Sequence, residues 1–586
     1  MYEDFLEIGV EEKHKRFDPE AGMIMQHVAP WNGGSGGYHT RISGDLHSPT
    51  ENSAFADHVF FLRKEEYYEE AKSVLWGLIK YQDNREDSKT YGLWPYYIEE
   101  DCDHMIAPDY NMADFNAKHF AYILKRRSDC LDDELRAALS ESLMKAAICS
   151  IRRNVSPDYT NISLMSLNTI INAGEISGNK EFLERGKERL RKVHEYNAFC
   201  GCFSEYNSST YSPLAIEEIS MMLELFEDEE CVKMAKDLNV IAWEMLLSHY
   251  HRNLKQVSPP QMRCYHNFEG SKLEEMIYLG TKGAFGSIDK ANPKYPAMLQ
   301  IPPVCPEEVV EKYLKKPFEP TFIDQTFYKK NNFRTPDEDT VIIRNIDSPD
   351  LKAFTYMAEE YAMGAFEKTD MWTQRRSSMV YWGEGQQATC MFLRCMNYDY
   401  DYCSGMVYTN QYRNVMLSHT GFVTDRGDFH YILDKTKDGL LTTKKLFYKF
   451  EFDGDCDNIK VEQNGGRFTV KDKGITIEIN ITEAVFDGKP MKLCYNETDK
   501  CIEAVCFDTE RTIDFKNLKS DCHMVFTLAV NTACPKPVTA KDETEQLLKS
   551  ELTMDGKTLT LCSPYIPVGY DSAIEKTKTE GRERVI

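Results

Sequence analysis

The sequence predicts an α+β multidomain chain, an N-terminal (α/α) toroid of helical hairpins followed by a C-terminal antiparallel β-sandwich. Three observations predict it. Apolar residues recur at helical spacing from Ser48 to about residue 280. Polar clusters precede every second helix, at intervals of roughly 50–60 residues that suit hairpin repeats. After a proline-rich stretch the apolar period changes to two. At 586 residues the chain is too long for one core. The expected parts are an irregular N-terminal segment (1–47), the toroid (48–280), a connector (281–335) and the sandwich (336–586).

In order, the N-terminal segment carries Trp31-Asn-Gly-Gly-Ser-Gly-Gly-Tyr-His39-Thr-Arg41, a glycine-rich loop whose Trp31 and His39 are candidate sugar contacts. It lacks the Gly-Lys-Ser/Thr of a phosphate loop. Ser48-Pro-Thr-Glu51 reads as a capping box with proline in the first turn, which gives Glu51 a structural role. Helices apolar all round are expected at Glu51–Leu62, Asp114–Leu124, Asn161–Ile176 and Pro213–Phe226. Between them lie helices with one narrow apolar stripe, such as Tyr68, Ala71, Leu75, Leu78 and Ile79, or Leu135, Leu139, Leu143, Ala147 and Ile151. Buried inner helices thus alternate with half-exposed outer ones. In a ring of hairpins the inner helices run the same way and their N-terminal ends share one rim. The clusters Ser48–Asn52, Asp109–Asp114, Thr160–Asn161, Glu205–Tyr211 and Arg263–His266 would then converge. A row of N-caps is the plain alternative. Seven prolines between Pro293 and Pro320 mark the connector. Strands are expected at Val341–Arg344, Met379–Trp382, Phe447–Phe452, Arg467–Val470 and Ile475–Ile481, with hairpin turns at Asn464-Gly-Gly and Asp555-Gly556.

A net charge of −24 argues against a nucleic-acid partner and against long, heavily sulfated polyanions. Short or weakly charged oligosaccharides fit better. The acidic N-terminus shows no signal-peptide pattern and no apolar run is long enough for a bilayer. With 18 scattered cysteines, the expectation is a cytoplasmic protein with reduced thiols, no membrane association and no cofactor; a homo-oligomer is left open. Cys200/Cys202 and Cys390/Cys395 are not zinc pairs, and His419, Asp428 and His430 are a weak metal candidate.

The densest chemistry lies in Gly201-Cys-Phe-Ser-Glu205-Tyr206-Asn207-Ser-Ser-Thr-Tyr211, a polar aromatic loop opening a helix. A second group, Trp372-Thr-Gln374-Arg375-Arg376, offers a ring to stack a sugar and guanidinium groups to hold a carboxylate.

The order of toroid and β-domain, with Gly201-x-Phe203-x-Glu205 leading to Tyr211, resembles the heparinase II/III-like and alginate-lyase-like polysaccharide lyases. The resemblance implies that Tyr211 acts on the sugar, that Asn161 opens an earlier helix as the family's asparagine does, and that His266 stands for its histidine. Thr160-Asn161-Ile162 with Glu-Tyr-Asn-Ser-x-Thr-Tyr also resembles a bacterial group of unsettled activity.

Three functions remain open at this level. The favoured one is β-elimination on a uronic-acid-containing oligosaccharide. Asn161 with Arg263 or Arg375 would bind the uronate, and Tyr211 or His266 would take the proton. The alternative is glycoside hydrolysis through paired carboxylates drawn from Asp109, Asp114 and Glu205. The third is carbohydrate binding without catalysis. Tyr206, Asn207, Trp372, Gln374, Arg375 and Arg376 complete the expected binding set.

Overall fold

A computed structural model describes residues 2–31, 37–268, 271–289, 300–328, 350–431, 434 and 436–581. The loop centre after Trp31, the expected strand Val341–Arg344 and prolines 293 and 296 lie outside them. The N-terminal segment, expected to be irregular, opens with a helix, α1 (Tyr2–His14). Four hairpins follow: α2 (Pro49–Phe61) with α3 (Tyr68–Tyr81), α4 (Asn111–Arg126) with α5 (Asp133–Arg153), α6 (Thr160–Ser177) with α7 (Lys180–Cys200), and α8 (Tyr211–Leu225) with α9 (Glu229–His249). Helices α2, α4, α6 and α8 pack side by side in that order, and α3, α5, α7 and α9 lie outside them. The array curves back on itself. Leu279 of α10 (Ser271–Gly280) packs with Leu6 of α1 beside Phe61 and Leu62.

Burial explains the alternation. Every residue of α6 from Thr160 to Gly174 is buried, whereas α7 buries only positions such as Gly186, Leu190, Val193 and Asn197. The inner helices also carry polar side chains that satisfy one another. Lys118 of α4 donates to Glu218 of α8 at 2.8 Å, Asn168 of α6 donates to the same carboxylate at 2.8 Å, and His119 lies 2.6 Å from Asp57 of α2. Buried polar groups are stable when paired in this way.

Three of the four outer helices have side-chain caps, α3 being the exception. Asp132, Asn179 and Asp228 cap the outer helices α5, α7 and α9 with their side chains. The cap residues of α2, α4, α6 and α8 make no such bond. The expected capping box at Ser48 therefore does not form. Ser48 bonds to Thr50, and Glu51 pairs with Arg16 at 3.0 Å. Within the rim clusters, Asp109 accepts from the Asn111 N–H at 3.0 Å and Ser208 from the Tyr211 N–H at 2.9 Å, so part of their polar content does close helix starts.

The β-part is a sandwich. A nine-stranded antiparallel sheet begins with Thr321–Tyr328, a strand inside the stretch expected as a connector, which also holds a short helix, Glu307–Tyr313. It faces an eight-stranded sheet across a core that includes Val380, Leu393, Phe450, Ile477, Met524 and Phe526. Both expected hairpin turns form, with Asn464 opposite Arg467 and Met554 opposite Lys557. Asp555 and Gly556 adopt φ of 47° and 75°, the left-handed pair such a turn requires. A further four-stranded sheet (residues 538–580) lies on the outer face of the eight-stranded one.

Asp114, on α4, is fully buried and accepts a hydrogen bond from Ser150. Burial lifts its carboxyl to about 6, against the pull of Ser150 and Arg153. The folded protein then holds a proton that the unfolded chain has released, so this group's contribution to stability falls as pH rises from about 4 through about 6. The Asp114→Asn variant lacks that loss. Its unfolding free energy in denaturant melts is expected to gain on the wild type across the window, by at most about 3 kcal/mol. Parallel pH curves for the two proteins would contradict the assignment.

Candidate active site at the rim

The rim meets the sandwich through one loop. Between α9 and α10 the chain runs along the β-part, where Arg376 N–H donates to Gln261 O at 2.9 Å and Cys264 N–H to Gln374 O at 2.8 Å. This fixes Arg263 over the N-terminal ends of α6 and α8.

Each nitrogen of Arg263 has a partner. Nη1 donates to Glu205 at 2.6 Å, Nη2 to the Tyr211 hydroxyl at 2.7 Å and Nε to Gln374 Oε1 at 3.2 Å. The guanidinium also lies 4.0 Å from the Tyr211 ring centre. Glu205, 6% exposed, accepts in addition from the Asn161 backbone N–H at 2.8 Å and from the Asn161 side-chain amide at 2.7 Å. A carboxylate 44 positions along the chain thus occupies the uncapped N-terminus of α6, where the helix dipole favours it. Ser208 accepts from the Tyr211 N–H at 2.9 Å and donates to Arg263 O, tying α8 to the same loop.

Tyr211 is half-buried at the first position of α8, and its hydroxyl lies 2.9 Å from that of Tyr265. Burial pushes its phenol well above the ordinary value, and Arg263 offsets only part of this. The neighbouring Tyr265 hydroxyl and, to a smaller extent, the Glu205 carboxylate on the far side of the guanidinium add to the upward push.

Tyr211, Glu205, Asn161, Arg263 and Gln374 are brought together, and the other expected residues fall into place around them or away from them. Trp372 is buried against His430 and Tyr431, its ring 5.8 Å from Arg263. Arg375 does not reach for a ligand; it is held by Asp370 at 2.8 Å, a carboxylate shared with Arg426 at 2.8 Å. Arg426 in turn stacks 3.7 Å from the Tyr570 ring. Arg376 is taken up by Asn267 at 2.5 Å. His39 and Asp109 stand together on the rim, 3.7 Å apart, with His39 hydrogen-bonded to Ala107 O and stacked on Tyr96. Trp31 is 42% exposed and stacks on Arg41.

Tyr206 is a core residue. Its hydroxyl donates to His249 Nε2 at 2.6 Å, and burial holds that imidazole neutral, at about 4, while its Nδ1–H donates to Met245 O. Asn207, at φ 53°, donates to Pro260 O at 3.0 Å and to Ser258 O, and shapes the loop. His266 is exposed, and no contact sets it against Tyr211. His419 is buried in the eight-stranded sheet between Ser563 and Ser550, and Asp428 is bonded to Asn397 and Tyr400, so with His430 against Trp372 the three do not gather round a metal. Among the described residues no group of three or more His, Cys, Asp or Glu is arranged to hold one. Nor is any described helix long and apolar enough to cross a membrane.

The sequence reading missed Tyr265. It lies inside the Arg263–His266 cluster, between the two residues chosen there. Tyr159, whose ring lies 5.8 Å from Arg263, was missed one position before the Thr160–Asn161 pair.

Residues 17–296 match a family model described as a domain of unknown function (DUF8769). No curated protein matches the chain. Among solved structures it is similar to a heparinase III, at 10% identity and a TM-score of 0.43 over 89% of this chain and 84% of that one. It is also similar to a heparan sulfate lyase mutant from Pedobacter heparinus, at 9% identity and 0.38 over 96% and 94%. A third is a chondroitin AC lyase from Streptomyces coelicolor A3 in complex with chondroitin sulphate, at 8% identity and 0.43 over 96% and 89%.

Replacing Glu205 by Gln should have two effects. Loss of the charge leaves Arg263 uncompensated in a mostly buried setting, and stability is expected to drop by about 3 kcal/mol. The unopposed guanidinium should also lower the Tyr211 phenol from its raised position. Urea melts test the first effect, and a pH titration of Tyr211 followed by 19F NMR of a fluorotyrosine at that position tests the second.

Proposed function

We propose that the protein cleaves a uronic-acid-containing oligosaccharide by β-elimination. The observation that carries this reading is the Tyr211 phenol at the open rim, 2.7 Å from the Arg263 guanidinium. Abstraction of the C5 proton requires a base, and a tyrosine serves when a neighbouring cation stabilises its phenolate. Arg263 is that cation. The electrons of the broken C–H bond pass into the uronate as an enolate and then form the C4–C5 double bond as the C4–O bond breaks. Tyr211, having gained the C5 proton, hands it to the departing oxygen. The N–H groups of Arg263 that are not used by Glu205, Tyr211 and Gln374 face the uronate carboxylate. Asn161 does not take that part in this arrangement, because its side-chain amide is committed to Glu205.

Hydrolysis needs two accessible carboxyl groups across the sugar. Of the three candidates, Asp114 is wholly buried and Glu205 is saturated with hydrogen bonds, which leaves Asp109 without a partner among them.

The test is a panel of uronate-containing oligosaccharides read by ultraviolet absorbance and by reducing ends together. Elimination gives both signals; reducing ends without absorbance mean hydrolysis and overturn the reading. The Tyr211→Phe variant is expected to lose about a thousandfold in kcat while keeping its melting temperature. Asp114→Asn should stay within a few-fold of the wild type. Because the active form is the phenolate and burial raises Tyr211, kcat/KM should climb with pH across the neutral range. A profile that is flat there would count against a tyrosine base.

A further inference from the structure

Tyr211 stands between two hydrogen-bond partners. Its oxygen accepts from Arg263 Nη2 at 2.7 Å, and it shares a hydrogen bond with Tyr265 Oη at 2.9 Å in which either hydroxyl can donate. Tyr265 is 45% exposed, so its hydroxyl also reaches water. The three groups form a line from a fixed cation, through a half-buried phenol, to a phenol at the solvent edge. We propose that Tyr265 is a positioning residue for Tyr211: it carries the Tyr211 proton out to water and then holds the phenolate as its second hydrogen-bond donor.

The transfer balances. The O–H bond of Tyr211 breaks and its proton joins Tyr265 Oη, while the proton that Tyr265 already carried passes to a water molecule. Tyr265 ends neutral. The proton it has gained lies between the two oxygens and points back at Tyr211. The phenolate is left with two donors, Arg263 and Tyr265, and no further rearrangement is required. A phenylalanine at 265 keeps the tilted ring contact, whose centres lie 6.2 Å apart, but provides neither the path nor the donor.

Several groups face the pair. Burial and, while Tyr211 keeps its proton, the bond to Tyr265 raise the cost of the phenolate; Arg263 lowers it, and Glu205 behind Arg263 adds a smaller upward push. Tyr159 lies under Arg263 from the segment before α6. Tyr38, Tyr96 and, beside Tyr96, Asp109 approach from the other side of the rim, and Tyr38 and Tyr96 are electrostatically coupled to Tyr265. His266 follows Tyr265 in the chain and is exposed. With burial outweighing Arg263, a second donor is what the phenolate lacks.

The purpose of the device rests on the elimination reading, but its test does not. A fluorotyrosine at position 211 is followed by 19F NMR through a pH titration, in the otherwise wild-type chain and with Tyr265→Phe. The variant is expected to titrate about tenfold less readily at 211, the worth of one hydrogen bond to a charged group. An unchanged titration at 211 overturns the proposal. A second measurement covers the case in which Tyr265→Phe does not fold: a fluorotyrosine at 265 in the wild-type background must report the same titration as 211. Independent curves also overturn it. A shift at 211 in a protein that turns over no uronate leaves this inference standing and removes the elimination reading. Turnover with an unmoved acid limb in Tyr265→Phe does the reverse.

Discussion

The rim depends on one carboxylate. Glu205 meets the backbone N–H at the start of α6, the Asn161 amide and the Arg263 guanidinium at once. It thereby joins two inner helices and the loop that runs along the sandwich. Hydrogen bonds to a charged group contribute about 1.5–3 kcal/mol each, which offsets the cost of burying the acid. The same contact also sets the chemistry. It fixes where the guanidinium points and reduces how strongly that cation acts on Tyr211. A sequence motif that looks like a catalytic acid is thus, in space, the part that holds Arg263 against Tyr211.

The hairpin ring explains why such a contact is available. Outer helices α5, α7 and α9 carry side-chain caps, and the starts of α4 and α8 are met locally by Asp109 and Ser208. At α6 the N–H of Asn161 is instead met by Glu205, from the loop before the next inner helix. At that point the rim is built by exchange between repeats. Behind it, the paired Lys118, Glu218, Asn168, Asp57 and His119 fill the centre of the ring with polar contacts, where an all-apolar packing would be simpler.

Much of this was legible in the sequence, and the remainder was not for identifiable reasons. The alternation of fully apolar and striped helices located the hairpins because burial on all sides leaves no polar face. The change to a period of two located the sandwich. Tyr211 and Glu205 were named because acids and phenols crowded at a helix start exceed what capping needs, Asn161 and Arg263 as members of neighbouring helix-start clusters, and Gln374 from the Trp372–Arg376 group. Their roles were not legible. Whether Asn161 faces a sugar or a carboxylate of its own chain depends on a contact across 44 positions. Tyr206 and Tyr211 are neighbours in one motif, yet one is locked in the core by His249 and the other opens to the rim. Spacing within a loop does not separate those cases. The paired arginines after Trp372 read as a clamp because Asn267, which takes up Arg376, becomes adjacent only on folding, and nothing in the sequence shows that the nearby Asp370 turns toward Arg375.

Asp370 lies between Arg375 and Arg426, and Arg426 rests on Tyr570, a residue of the last short helix. The back wall of the cleft is thereby buttressed from the far end of the chain. Synthesis order then matters: the rim hairpins emerge first, while the support behind Trp372 is completed only once Tyr570 has emerged. A nascent chain would present the aromatic wall before its brace, and the wall would stiffen only as the four-stranded sheet closes.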